Sequence, residues 1–193
     1  MYLIKLFLFS SLIFASGGYD HGTSAGKGRW DISLTFNPFN YFEYGQSYMI
    51  LGYGLTNKID LQMYYSHTHN GSDNYYAGLL YQFFKSDIVD LSTAIGLRKY
   101  TDNKKSHIFA PQLLYTFKLS KKLKIGGSFI KINDNKTKKQ KKLDYTKDVF
   151  LMFNFYETKK YKLEITAGAF NPVLWSPKNG DWYPTYSIDI KIK

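Results

Sequence analysis

The sequence predicts an all-β fold, an antiparallel up-and-down transmembrane β-barrel of about ten strands. Three observations carry this expectation. Apolar and polar side chains alternate with period two through almost the whole chain after its N-terminus. Short polar links alternate with longer ones between successive segments. Aromatic side chains crowd segment ends, as the interfacial girdles of a membrane barrel require.

The chain has 193 residues, with 18 Tyr and 15 Phe, too aromatic for a disordered polypeptide. No Pro/Gly/Ser-rich linker divides it, so one domain is expected. No apolar run after the N-terminus reaches the roughly 18 residues of a spanning helix. Alternation hides the apolar half of a transmembrane strand, so moderate average hydropathy is compatible with a barrel. The sequence has no cysteine. That excludes a disulfide framework, a Cys-ligated zinc site, a thiol nucleophile and a lipid anchor on Cys.

Residues 1–17 read as a secretory signal of the Sec type. Lys5 supplies the charged region, Leu6 to Ala15 the apolar stretch, and Ala15 and Gly17 the small residues of a cleavage site. Residues 18–28 follow as an N-terminal periplasmic segment, and residues 29–193 form the barrel. Gly26-Lys27-Gly28 is not a phosphate loop, because no helical pattern follows it.

The first strand pattern sets Trp30, Ile32, Leu34 and Phe36 against Asp31, Ser33 and Thr35. A second lies near 47–55. The third sets Ile59, Leu61, Met63 and Tyr65 against Asp60, Gln62, Tyr64 and Ser66, and a fourth lies near 74–84. The fifth sets Val89, Leu91, Ile95 and Leu97 against Asp90, Ser92, Ala94 and Gly96. Further patterns run near 107–119, 122–132, 147–156 and 161–170. The last, near 183–192, sets Tyr186, Ile188, Ile190 and Ile192 against Ser187, Asp189 and Lys191; the sequence ends on Lys193, where many outer-membrane barrels carry an aromatic.

Thr56-Asn57-Lys58, Lys85-Ser86-Asp87, Ser120-Lys121-Lys122 and Glu157-Thr158-Lys159-Lys160 read as tight hairpins. The links at 37–45, 67–73, 101–106, 133–144 and 171–182 are longer. Short periplasmic turns alternating with longer outer loops are the pattern of an outer-membrane barrel, with both termini on the short-turn side. A soluble barrel would alternate too, with its apolar face inward. Here one face of nearly every strand holds Gly, Ser, Thr, Gln and charge, and strand lengths match a tilted membrane crossing, so the apolar face is expected to meet lipid.

Asp20 to Leu34 reads D-H-G-T-S-A-G-K-G-R-W-D-I-S-L, and Leu51 to Met63 reads L-G-Y-G-L-T-N-K-I-D-L-Q-M. These two segments resemble the opening of outer-membrane transporters of the meta-pathway phenol-degradation-like family, over roughly the first third of the mature chain. The resemblance implies an outer-membrane channel or transporter for small apolar solutes, and it carries no catalytic residues.

A cluster of ionisable residues is expected inside the barrel at its turn end: Asp31, Asp60, Asp90, Lys118, Lys124, Lys162, Glu164, Asp189 and Lys191. Charges inside a narrow barrel must pair, because an unpaired buried charge is costly. Such a cluster either locks strand register or forms a constriction that selects solutes. Glycines 52, 54, 78, 96, 126 and 168 line the same face beside bulky Tyr64, Tyr76, Phe150 and Met152, so the lumen is expected to be narrow.

His67, His69, Asp73 and His107 fall at the outer rim, where a barrel hydrolase acting on lipid or peptide would place its catalytic or ligand groups. Their spacing specifies no metal site, and a solvated polar rim is the simpler reading. Lys136, Lys138, Lys139, Lys141 and Lys142 lie in one long loop; a solvated loop accounts for them, and they would also suit lipopolysaccharide phosphates. The sequence thus points to the bacterial outer membrane and to a narrow channel for small solutes, with lipids as partners. No enzyme activity, cofactor, metal or nucleic-acid partner is expected. A rim enzyme and a non-conducting structural or adhesion barrel are the alternatives.

Overall fold

A computed structural model describes residues 21–37, 46–67, 73–101, 106–134, 145–172 and 182–193. The expected signal at 1–17, His69 and the lysine run at 136–142 lie outside them. Among the described residues every element is a strand: β1 (Trp30–Asn37), β2 (Gln46–Gly54), β3 (Ile59–His67), β4 (Asp73–Lys85), β5 (Val89–Tyr100), β6 (Ser106–Lys118), β7 (Leu123–Asp134), β8 (Tyr145–Glu157), β9 (Tyr161–Pro172) and β10 (Tyr183–Ile192). Each pairs antiparallel with its chain neighbours, and β1 pairs with β10 to close the barrel. The ten-stranded up-and-down fold expected from the sequence is the fold observed.

Period-two alternation sorts the side chains to two faces. In β8, Thr146, Asp148, Phe150, Met152 and Asn154 are buried in the lumen, whereas Val149, Leu151, Phe153 and Phe155 are exposed. The barrel is inside-out relative to a soluble one. Ser66, Asp90, Ser92, Thr116, Ser128 and Glu164 are wholly buried, while Leu79, Ile95, Leu97, Phe129 and Ile165 are about half exposed on the outer wall. That arrangement is stable only with hydrocarbon outside, since otherwise it hides polar groups and wets apolar ones.

Glycine makes room for large rings inside. Tyr76 lies over Gly96 and Gly78, and Phe150 over Gly126 and Gly168, so that a Cβ at any of the four would strike an aromatic ring or its stem. Around the wall, Tyr48 meets Tyr64 edge-on at 5.9 Å, Tyr64 stacks on Tyr76 at 5.3 Å, and Tyr76 meets Phe109 at 5.7 Å. Together with Ile50, Leu80, Leu114 and Ile130 they form an apolar filling against one side of the lumen.

All four short turns use the same device. The hydroxyls of Thr56, Ser86, Ser120 and Thr158 each accept backbone N–H bonds from the residues two and three positions on. A hydroxyl here replaces the partners that a sharp reversal denies to the backbone.

Candidate functional site

The turn end of the lumen is where most of the charge collects. Register alone explains much of it, because Asp31 stands opposite Lys191, Lys191 opposite Lys162, and Asp189 opposite Glu164. Glu164 is the hub. Its carboxylate lies 2.7 Å from Lys124 Nζ, 2.8 Å from Lys162 Nζ and 3.3 Å from Lys191 Nζ. Lys191 also reaches Asp31, at 3.0 Å. Three ammonium groups from β7, β9 and β10 would repel one another; two carboxylates among them make the arrangement stable. Asp189 sits deeper and accepts bonds from Thr166 (2.5 Å) and Ser187 (2.9 Å). Across the lumen, Lys118 Nζ donates to Asp90 at 2.7 Å.

Residues 21–26 occupy the space between these groups. They belong to the segment that precedes β1, and they run along the inner wall. Gly26 and Gly28, at φ of 85° and 74°, turn the chain at the rim, where Gly28 N–H bonds to the Gly54 carbonyl at 2.8 Å. Only glycine takes that left-handed geometry cheaply. A Cβ on Gly54 would collide with the Gly26 carbonyl, so the strap also needs a glycine beneath it. Inward from the rim, Ala25 N–H and Ser24 Oγ donate to the two oxygens of Asp60, at 2.8 and 2.6 Å. Ser24 N–H donates to Gln82 Oε1 at 3.3 Å, and Thr23 Oγ1 to Asp90 at 2.8 Å. Gly22 N–H donates to Thr116 Oγ1 at 3.0 Å, and its carbonyl accepts from Ser92 at 2.7 Å. His21 Nε2 then lies 3.2 Å from Asp31 on β1 and 3.5 Å from Lys191 Nζ on β10. The strap therefore touches β3, β4, β5 and β6 in succession and ends at the β1–β10 seam.

All nine residues of the expected cluster thus lie in the lumen, and each has an ionic or hydrogen-bond partner there. Sequence reasoning missed the strap and its wall anchors Gln82, Ser92 and Thr116. The available signal was the small, polar composition of residues 21–26, which suits a backbone packed closely against a wall.

The described rim residues sit at the loop ends of β3, β4 and β6. Asp73 accepts bonds from the hydroxyls of Tyr65 (3.0 Å) and Tyr75 (3.4 Å), both exposed on the outer wall. His107 Nδ1 lies 3.1 Å from an Arg98 guanidinium nitrogen, and Arg98 is buried over the Phe109 ring. His67 is paired with Asp73 through the strand register. Among the described residues no group of three His, Cys, Asp or Glu could hold a metal ion.

No protein-family model matches the chain, and no curated protein sequence matches it. Among solved structures, it superposes on the KdgM porin in complex with disordered oligogalacturonate with a TM-score of 0.51 and 8% identity. The alignment covers 86% of this chain and 98% of that one. A second structure of the KdgM porin aligns over the same shares with a TM-score of 0.50 and 8% identity. The fold is therefore that of a small porin-like barrel.

Proposed function

We propose that this protein is an outer-membrane channel for small solutes, performing no covalent chemistry, whose turn-end constriction is formed by the charged cluster together with the strap at residues 21–26. The observation that carries this reading is the way the strap is held. It joins no strand pair within the lumen and rests on isolated hydrogen bonds to wall side chains, each worth about 0.5–1.5 kcal/mol net. A tethered segment attached in that manner can leave and return while the barrel stays closed as a sheet. Further support comes from the porin-like fold and from the resemblance of residues 20–34 and 51–63 to outer-membrane transporters. Aromatic filling of one side of the lumen favours small solutes over large ones.

The test is planar-bilayer conductance of the full chain and of a variant lacking residues 21–25. The expected result is a small or intermittent current from the full chain and a clearly larger one from the deletion. Equal currents would remove the strap from the constriction and leave the channel. No current from either folded protein would instead favour a non-conducting structural barrel, a reading to which the stacked Tyr64 and Tyr76 and the wholly buried Leu80 and Leu114 lend weight.

A further inference from the structure

On the outer wall, near the β2–β3 turn, β4 has a bulge between Gln82 and Phe84. Strict alternation would send one of two successive phenylalanines inward; with the bulge, Phe83 and Phe84 both stay outside, 45% and 47% exposed. Lys58 and Lys85, both exposed, lie beside them. These four residues, with Asn57 and Gln82, line a depression of about 510 Å³.

A second depression, of about 490 Å³, lies next to it, since Ile59 follows Lys58 and Tyr81 precedes Gln82. Its walls are Ile59, Leu79, Tyr81 and Ile95, and small Ala110 and Pro111 leave it open on the β6 side. Of the two hydroxyls among its lining residues, that of Thr93 is already spent on the Gln112 carbonyl at 2.7 Å, and the other is the phenol at the tip of Tyr81. The furrow thus offers mainly hydrocarbon contact, with its threonine hydroxyl satisfied.

A cationic rim pocket floored by aromatic rings and continued by an apolar furrow matches one kind of molecule. We propose that it is a binding site for an anionic phospholipid of the leaflet on the turn side. Lys58 and Lys85 hold the phosphate and headgroup, Phe83 and Phe84 the glycerol and upper chains, and the furrow one acyl tail. Long lysine stems allow this, because they lie along apolar surface while the ammonium reaches the headgroup plane. The neighbouring turn supports an interfacial setting over a soluble acidic partner: Ile88, a large apolar side chain, is 71% exposed beside Lys85 and Ser86. This inference rests on the reading of the outer wall as lipid-facing.

The test is native mass spectrometry of the refolded barrel carried in vesicles of phosphatidylcholine mixed with phosphatidylglycerol. The protein should retain phosphatidylglycerol in preference to phosphatidylcholine. Lys58→Glu with Lys85→Glu should lower that retention roughly 30-fold, on the scale of two lysines near an anionic surface. Phe83→Ser with Phe84→Ser should weaken retention of both lipids, and Lys99→Glu with Lys147→Glu, exposed lysines near the loop end, should change neither. Equal retention of the two lipids by the wild type, retention unaffected by the Lys58/Lys85 change, or preferential displacement by lipid A would overturn the site. Failure to insert into vesicles at all would overturn the lipid-facing reading itself; insertion without lipid preference sinks only the site.

Discussion

Gly22 lies flat against the barrel wall at Leu114: a methyl group on Gly22 would stand 2.7 Å from the Leu114 carbonyl oxygen and 2.6 Å from that of Asp90. Both neighbours are backbone atoms of paired strands and cannot give way. Gly22→Val is therefore expected to expel the strap while leaving the strand ladder intact. Since the chain has no native cysteine, Ser24→Cys provides a clean reporter. A thiol reagent should label it slowly in the parent and quickly beside Gly22→Val; equal rates would show that the strap tolerates the side chain.

Glu164 should be the most costly single charge to remove. It is buried with three lysines around it, and Glu164→Gln leaves those cations facing one another. The expected loss is about 3–5 kcal/mol, read from urea unfolding of the barrel in detergent micelles. Glu157, paired with Lys193 at the exposed rim, is the comparison: Glu157→Gln should cost about 1 kcal/mol or less. A similar cost for both would mean that the hub contributes no more than a surface pair.

The Tyr76 ring occupies the place where a Gly96 side chain would stand. Gly96→Ala should destabilise the barrel by about 1–3 kcal/mol through overpacking. Adding Tyr76→Ala should return part of that loss, so the pair should be non-additive. Strict additivity in the double-mutant cycle would break the link between ring and glycine.

The four turn hydroxyls make a repeated, local prediction. Thr56→Ala, Ser86→Ala, Ser120→Ala and Thr158→Ala each leave two backbone N–H groups without their hydroxyl partner. Each should cost about 1 kcal/mol, and costs from separate turns should add. Thr56→Ser and Thr158→Ser should be close to neutral. Alanine variants as stable as the parent would reduce these hydroxyls to passengers.

The strands were legible because their signal is local. In β8, five inward and four outward residues alternate without interruption from Thr146 to Asn154, and lipid outside makes that alternation obligatory. The charged cluster was legible for the same reason, since parity fixes the face and proximity to a turn fixes the depth. The strap had no such signal. Its partners Gln82, Ser92 and Thr116 lie 58, 70 and 94 residues away, and no periodicity in residues 21–26 announces a wall to lie against. The bulge in β4 was hidden too, because Phe83-Phe84 reads equally well as one ring inside and one outside.

His21 touches both margins of the seam, Asp31 on the first strand and Lys191 on the last. Closure there joins Trp30 to Ile192, so the earliest part of the barrel must wait for the final residues before the sheet can become a tube. The strap is then like the slider of a zip fastener, lodged where the two rows of teeth meet. Removing it would take a staple from the one joint that chain order leaves until last.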